Sequence, residues 1–312
     1  MKKYCFGVDV GGTTVKMGFF DVEGNVLAKW EIPTRTENSG EKILPDIAAS
    51  IDEYMKNNNY TKEDIVGVGI GVPGPVDGKG VIHNAVNLGW GQFNIEETLS
   101  SLLGGVTVKA GNDANVAALG EMWCGGGMGY SNLVAVTLGT GVGGGIIIDG
   151  KILTGATGAG GEIGHIHVQD GEEEACGCGN HGCLEQYASA TGIVRLANRK
   201  LKASEKASSL REGEVSAKTV FDAVKAGDEL AKEVAEEFGY YLGTGLAAIA
   251  GVINPEVFVI GGGVSKAGDI LLQYIEKTYQ KNVFHASRGV KFALATLGND
   301  AGIFGAAKLV LE

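Results

Sequence analysis

Proline is scarce in this chain, with 5 residues in 312. Glycine shows no three-residue period either, so collagen-like and low-complexity disordered architectures are excluded. Long apolar runs are missing: no stretch approaches the roughly 18 residues that a membrane-crossing helix needs. The opening MKKYCFGVDVGG has a short basic start, but Asp9 breaks the apolar run too early for a secretory signal. Basic residues are outnumbered, 26 against 37 acidic, for a net charge of −11 at pH 7. A field of that sign repels phosphate backbones and argues against nucleic-acid partners. Cysteine is sparse and odd in number, five in all, with three of them at Cys176, Cys178 and Cys183. That usage points to a reducing cytoplasm and a metal site rather than a disulfide framework.

Glycine is what the chain has in excess. Its 52 residues are about 17% of the sequence, against roughly 7% in average proteins. With 44% hydrophobic residues there is enough apolar surface for one or two cores. The glycines must therefore serve folded backbone, in turns with φ > 0 or in loops that a ligand approaches closely.

Patterning predicts three consecutive strands at Tyr4–Val10, Val15–Phe20 and Val26–Ile32, then a helix with Ile43, Ile47, Ile51 and Tyr54 on one face. Ile65–Val72 and Val106–Ala110 read as further strands, and a helix capped by Asn112 or Asp113 runs to about Trp123. The second half restarts this pattern with strands at Leu133–Leu138, Gly145–Ile148 and Ile152–Leu153. A shift of 128 residues places Val8 on Val136, Gly11 on Gly139 and Asp21 on Asp149. Such a period is too long for a solenoid and predicts duplicated halves facing each other across a cleft. Beyond Glu185 the pattern is largely helical, with a polar connection at 202–218 and a long amphipathic helix at Asp228–Ala250. A buried strand at Val257–Ile260, a last strand at Val290–Ala295 and a terminal helix capped by Asp300 follow.

Two glycine loops, Gly69–Gly74 and Gly139–Gly144, match G-x-G-x-x-G literally. Neither runs into a helix, so both are rejected as dinucleotide fingerprints, and no Walker phosphate loop is present. What remains are two strand–glycine–strand bends, one at Asp9-Val10-Gly11-Gly12-Thr13-Thr14 and one at Leu138-Gly139-Thr140-Gly141. They read either as tight hairpins or as a phosphate clamp of backbone N–H groups and threonine hydroxyls. Asp9 beside a phosphate makes sense if a divalent cation bridges the two. Gly261-Gly262-Gly263 after a strand offers a third close backbone approach, suited to a nucleotide's sugar or base. The pair Asn112-Asp113 is either an N-cap or a carboxylate placed as general base for a hydroxyl.

His165 with Cys176, Cys178 and Cys183 makes a complete tetrahedral zinc set. Four protein ligands leave no open position, so that metal would be structural. His167 and His181 are alternatives, better read as a substrate-side neighbour and a surface turn residue. Glu162 and Glu185 flank the set and could orient a polyhydroxylated ligand or be solvated charges. Glu172–Glu174 reads as a solvated loop, and Cys5 and Cys124 as buried thiols.

Together these residues resemble the ROK family of sugar kinases, most closely its bacterial glucokinase branch, along the whole chain. Asp9-x-Gly-Gly-Thr-x-x-Lys16 is similar to the first phosphate motif, and Leu138-Gly-Thr-Gly-Val-Gly-Gly-Gly145 to the second. Gly160-Gly-Glu-Ile-Gly-His165 with Cys176-x-Cys-Gly-x-x-Gly-Cys-Leu-Glu185 resembles the zinc and sugar signature, and Asn254-Pro-Glu-x-x-x-Ile-Gly-Gly-Gly263 the adenosine motif. The spacing from His165 to Cys176 is one residue longer than in many members. The resemblance implies an α/β, duplicated ribonuclease-H-like (actin-like ATPase) fold, two domains around a cleft. These would be residues 1–120 and a larger 121–312 carrying the zinc corner, with the helix at about 300–312 packing back on the first. It implies phosphorylation of glucose by ATP with Mg2+, and a structural Zn2+. Asp113 would be the base, with Asn112, Glu162, His165 and Glu185 on the sugar. Asp9, Gly11, Gly12, Thr13, Thr14, Lys16, Thr137, Gly139, Thr140, Gly141, Gly261, Gly262 and Gly263 would hold the nucleotide. Fructokinase and N-acetylmannosamine kinase are the alternatives within the family, and a non-catalytic sugar sensor outside its enzymes. With eight residues before Asp9, the repressor branch and its helix-turn-helix are not expected. Expected partners are glucose or a related hexose and further copies of the chain as a homodimer or homotetramer, with no nucleic acid and no membrane, in the cytoplasm.

Overall fold

A computed structural model describes residues 2–312. The first five-stranded sheet comprises β1 (Tyr4–Val10), β2 (Thr14–Asp21), β3 (Val26–Pro33), β4 (Ile65–Val72) and β5 (Val108–Asn112), in the order β3-β2-β1-β4-β5. The second comprises β6 (Leu133–Leu138), β7 (Val142–Ile148), β8 (Lys151–Ile152), β9 (Val257–Gly261) and β10 (Lys291–Leu294), in the order β8-β7-β6-β9-β10. One strand pattern is thus used twice: three consecutive strands in reverse order, then two later ones. β1 pairs antiparallel with β2 and parallel with β4, which pairs parallel with β5. In the second sheet β9 runs parallel to both β6 and β10.

Burial explains the strand sequences. β4, IVGVGIGV, is buried at every residue but Val66, as expected of a central parallel strand covered on both faces. β3 is exposed or half-exposed throughout, as an edge strand can be. Helix α1 (Ile43–Asn57) buries Ile43, Ile47 and Ile51 in the same core as Phe6, Val8, Val68 and Ile70.

Five further helices matter for the site: α2 (Asp113–Cys124), α3 (Glu185–Ala188), α4 (Ala190–Ala203), α5 (Glu229–Ile253) and α6 (Ala301–Leu309). α6 returns to the first sheet and lies directly on glycine. A β-carbon on Gly7 or Gly69 would overlap the backbone of Ile303 or Ala306. Asp300 stands at the start of α6 but does not cap it, contrary to expectation. Its backbone is already helical (φ −95, ψ −9), which turns the carboxylate away from the first-turn amides. Lys29 Nζ donates to Asp300 Oδ2 at 2.6 Å instead. β7 also begins earlier than expected, at Val142, so Gly143 to Gly145 are strand residues.

The chain divides into two compact units. One runs through Ser131 and adds Gly145–Gly161 and Leu297–Glu312; the other comprises Asn132–Gly144 and Glu162–Thr296. No helix among the described residues is long and apolar enough to cross a membrane.

Candidate active site

In the first unit the parallel register aligns the carboxyl ends of three strands: Asp9 lies opposite Gly71, Gly71 opposite Gly111, and Val72 opposite Asn112. Carboxyl strand ends are where open α/β sheets collect ligand-binding groups. Asp9 packs against the first turn of α6, where a β-carbon on Gly302 would sit 2.5 Å from its Cγ. Burial pushes the Asp9 carboxyl up to about 6; Lys16 opposes the shift and the Asp113 charge adds to it. Lys16, paired with Asp9 across β1 and β2, donates from Nζ to Asn299 O at 3.0 Å. The neighbouring bend is closed by Gly11 N–H to Thr14 O at 3.0 Å, with Gly12 and Thr13 exposed at its tip.

The two readings of Asn112-Asp113 separate here. Asn112 is the N-cap of α2: its Oδ1 accepts from Ala114 N at 3.0 Å and Asn115 N at 3.2 Å. Its Nδ2 donates to Gly74 O at 3.2 Å. Asp113 is the first helical residue, half-buried, with Oδ1 accepting from Ala114 N at 2.8 Å. A carboxylate in the first turn is favoured by the helix dipole, and its charge is felt at Asp9.

In the second unit the bend at Gly139–Gly141 is closed by Gly139 N–H to Gly141 O at 3.0 Å. It is braced against the start of α4, with Ala190 N donating to Gly139 O at 2.8 Å and Thr191 Oγ1 to Thr140 O at 2.7 Å. Thr137 pairs with Gly261 across β6 and β9, and both Thr137 and Thr140 are exposed. Gly262, at φ +84, lies against Leu138 so closely that a β-carbon would overlap its carbonyl oxygen. The predicted phosphate bend and the glycine triplet are therefore neighbours in the fold.

The ligand atoms of His165, Cys176, Cys178 and Cys183 lie within 4.8 Å of one another. Cys178 Sγ is 3.7 Å from Cys183 Sγ, and His165 Nδ1 is 3.7 Å from Cys176 Sγ. A tetrahedral thiolate–imidazole site around a zinc-sized ion has edges of about 3.6–3.8 Å, so the four residues fit such an ion. The other ring nitrogen, Nε2, stands 3.9 Å from Glu162 Oε2. Glu185 Oε2 accepts from Val142 N at 3.0 Å, and its Oε1 is 3.6 Å from Cys176 Sγ. His167 and His181 stay out of the set: His167 contacts His181 O and Asp170 Oδ1, both at 2.9 Å, and His181 Nδ1 contacts Glu172 O at 3.0 Å.

Glu172 corrects the expectation of a solvated loop. Its side chain is 5% exposed and lies 2.5 Å from Arg195 Nη2 and 3.2 Å from Arg199 Nη2. Tyr187 donates its hydroxyl to the same carboxylate. Burial alone would raise the Glu172 carboxyl, but Tyr187, the Glu174 N–H, Arg199 and Arg195 together bring it down to about 2. The network clamps the metal-ligand loop onto α3 and α4. Its one local signal is the pair Arg195 and Arg199, one helical turn apart. Asn115 was also missed: it is 2% exposed and donates from Nδ2 to Gly160 O at 3.3 Å, steadying the segment that leads to Glu162.

Known proteins resemble this chain along its whole length. The sequence model of the ROK family matches residues 5–312. The chain is 45% identical to a glucokinase of Halalkalibacterium halodurans, over 99% of this chain and 96% of that protein. Among solved structures it resembles a ROK hexokinase from Thermus thermophilus, with TM-score 0.81, 31% identity and coverage of 98% and 97% of the two chains. It also resembles a ROK glucokinase from Streptomyces griseus solved with glucose and AMPPNP, with TM-score 0.74, 34% identity and 98% of each chain covered. The chain belongs to the ROK family.

Proposed function

We propose that this chain is an ATP-dependent glucokinase that transfers the γ-phosphoryl group of ATP to the 6-hydroxyl of glucose. The observation that carries this reading is the position of Asp113. It follows directly on the carboxyl end of β5, with its Cα 3.8 Å from where a β-carbon on Gly71 would sit, and Gly71 lies opposite Asp9 of the first glycine bend in the sheet. A kinase needs that pairing of a base with a phosphate bend. The 45% identity to a glucokinase supports glucose as the acceptor.

In this mechanism Asp113 accepts the hydroxyl proton as the sugar oxygen bonds to phosphorus, and the bond to the ADP oxygen breaks. General-base assistance of this kind contributes typically ~10²–10⁴-fold. The remainder comes from positioning and from neutralising spread negative charge. The bends at Gly11–Thr14 and Gly139–Gly141 supply backbone donors, with Lys16 and the exposed Thr13, Thr137 and Thr140 beside them, and Gly261–Gly263 takes the adenosine. Mg2+ bound with the nucleotide would offset phosphate charge, and Asp9, a half-buried carboxylate that Lys16 only partly compensates, fits that ion.

Asn112, Glu162, His165 Nε2 and Glu185 would hold the other sugar hydroxyls. We assign Zn2+ to His165 Nδ1, Cys176, Cys178 and Cys183, where it fixes the loop carrying His165 and the start of α3. The five unpaired cysteines suit a reducing cytoplasm. Phosphorus NMR of the product tests the assignment: a phosphate on O6 of glucose is expected, and absence of any phosphorylated sugar would overturn it.

A further inference from the structure

Glu185 ties together two parts of the second unit that the sequence reading kept apart. One carboxylate oxygen, Oε2, accepts from Val142 N at 3.0 Å, the first amide after the Gly139–Gly141 bend. The other, Oε1, lies 3.6 Å from Cys176 Sγ. A cysteine bound to metal is a thiolate with no proton to give, so with the metal in place Oε1 is available to a hydroxyl. Gly141 is the close approach that makes this possible. A β-carbon there would overlap Glu185 Oε2, whereas one on Gly139 would meet nothing within 4 Å. The bend and α4 are also braced together through Ala190 N to Gly139 O and Thr191 Oγ1 to Thr140 O. Because α3, which Glu185 opens, runs straight into α4, the carboxylate and the bend are held as one piece.

We propose that Gly141, which belongs to the phosphate bend, is a positioning residue for the sugar. It leaves room for Glu185 to sit on the Val142 amide, and this one hydrogen bond links hexose binding to the state of the bend. The inference rests on the glucokinase reading and extends it. A hexose hydroxyl on Oε1 fixes the carboxylate, the fixed carboxylate holds the Val142 amide, and the bend is ordered before nucleotide arrives. Whichever ligand binds second then has less ordering left to do, and the effect is reciprocal.

Glucose binding measured calorimetrically on the full chain without nucleotide tests the link. Gly141→Ala should weaken glucose binding about tenfold, because the collision falls on the tip of a flexible side chain and Glu185 gives way while the fold stays intact. Gly251→Ala on α5, where a β-carbon meets nothing within 4 Å, should bind glucose like the wild type. The wild-type protein offers a second reading that needs no variant: glucose alone should slow amide exchange in the 139–142 segment about fivefold or more. Unchanged glucose affinity in Gly141→Ala, or unchanged exchange at 139–142 on adding glucose, would overturn the link. A wild-type protein that bound no glucose would instead sink the reading on which the link rests.

Discussion

Gly305 on α6 lies against Val116 on α2 so closely that a β-carbon on the glycine would overlap the valine's carbonyl oxygen. Gly120 faces the Ala301 carbonyl oxygen in the same way, so each helix presents a glycine to the backbone of the other. The obstruction is backbone, which cannot swing aside as a side-chain tip can. Gly305→Ala should therefore destabilise the protein by about 1–3 kcal/mol, since overpacking forces the helices apart. Gly78→Ala, where a β-carbon meets nothing within 4 Å, should stay within about 0.5 kcal/mol of wild type. Urea denaturation of the two variants checks this; equal stabilities would show that α2 and α6 are not held at glycine distance.

Asp113→Asn keeps the shape and the first-turn position but removes the base. Turnover should fall by ~10²–10⁴-fold, with glucose affinity changed far less. Steady-state kinetics paired with calorimetric glucose binding separates the two effects. Near-normal kcat would remove Asp113 as the base.

Elemental analysis of the purified chain should find one zinc per polypeptide at His165, Cys176, Cys178 and Cys183. Cys178→Ser should lose the metal and, with it, glucose affinity, because His165 and the start of α3 are no longer fixed. A metal-free chain with normal glucose binding would contradict the structural assignment.

Glu172 gives a prediction about acid stability. Its carboxyl is held at about 2 in the fold against an ordinary 4.5. A depressed pKa means the contribution is fully present above about 4.5 and is lost as pH falls toward 2. Wild-type stability should thus decline through that window, and Glu172→Gln should flatten the decline while lowering stability at neutral pH. Glu172→Ala leaves Arg195 without its buried partner and should cost about 3 kcal/mol at pH 7. Thermal melts from pH 7 to pH 2 test both; identical pH profiles for wild type and Glu172→Gln would contradict the network's role.

Much of this architecture was legible because the signals are local. Alternating and continuous apolar runs mark β1 to β10, and the match of Val8 with Val136 anticipates the repeated strand order. The cysteine spacing anticipates the cluster around His165, since short loops leave its ligands few places to go. What was hidden depends on distant partners. Glu172 looks like any acidic loop residue until Tyr187, Arg195 and Arg199, 15 to 27 positions away, close over it. The glycine excess points to turns and to loops that a ligand approaches, and Gly11–Gly12 and Gly139–Gly141 do form bends. Gly7, Gly69, Gly120 and Gly305 instead serve helix packing, which only the return of α6 from the far end of the chain reveals. Asp300 shows the limit of cap rules, because Lys29, 271 residues away, takes its carboxylate.

Glucose phosphorylation is tested most directly by ADP release from the purified chain with Mg-ATP, assayed in parallel on glucose, fructose and N-acetylmannosamine. Turnover on glucose is expected, with kcat/KM at least about tenfold above either alternative. Turnover on fructose alone, or on no hexose at all, would contradict it.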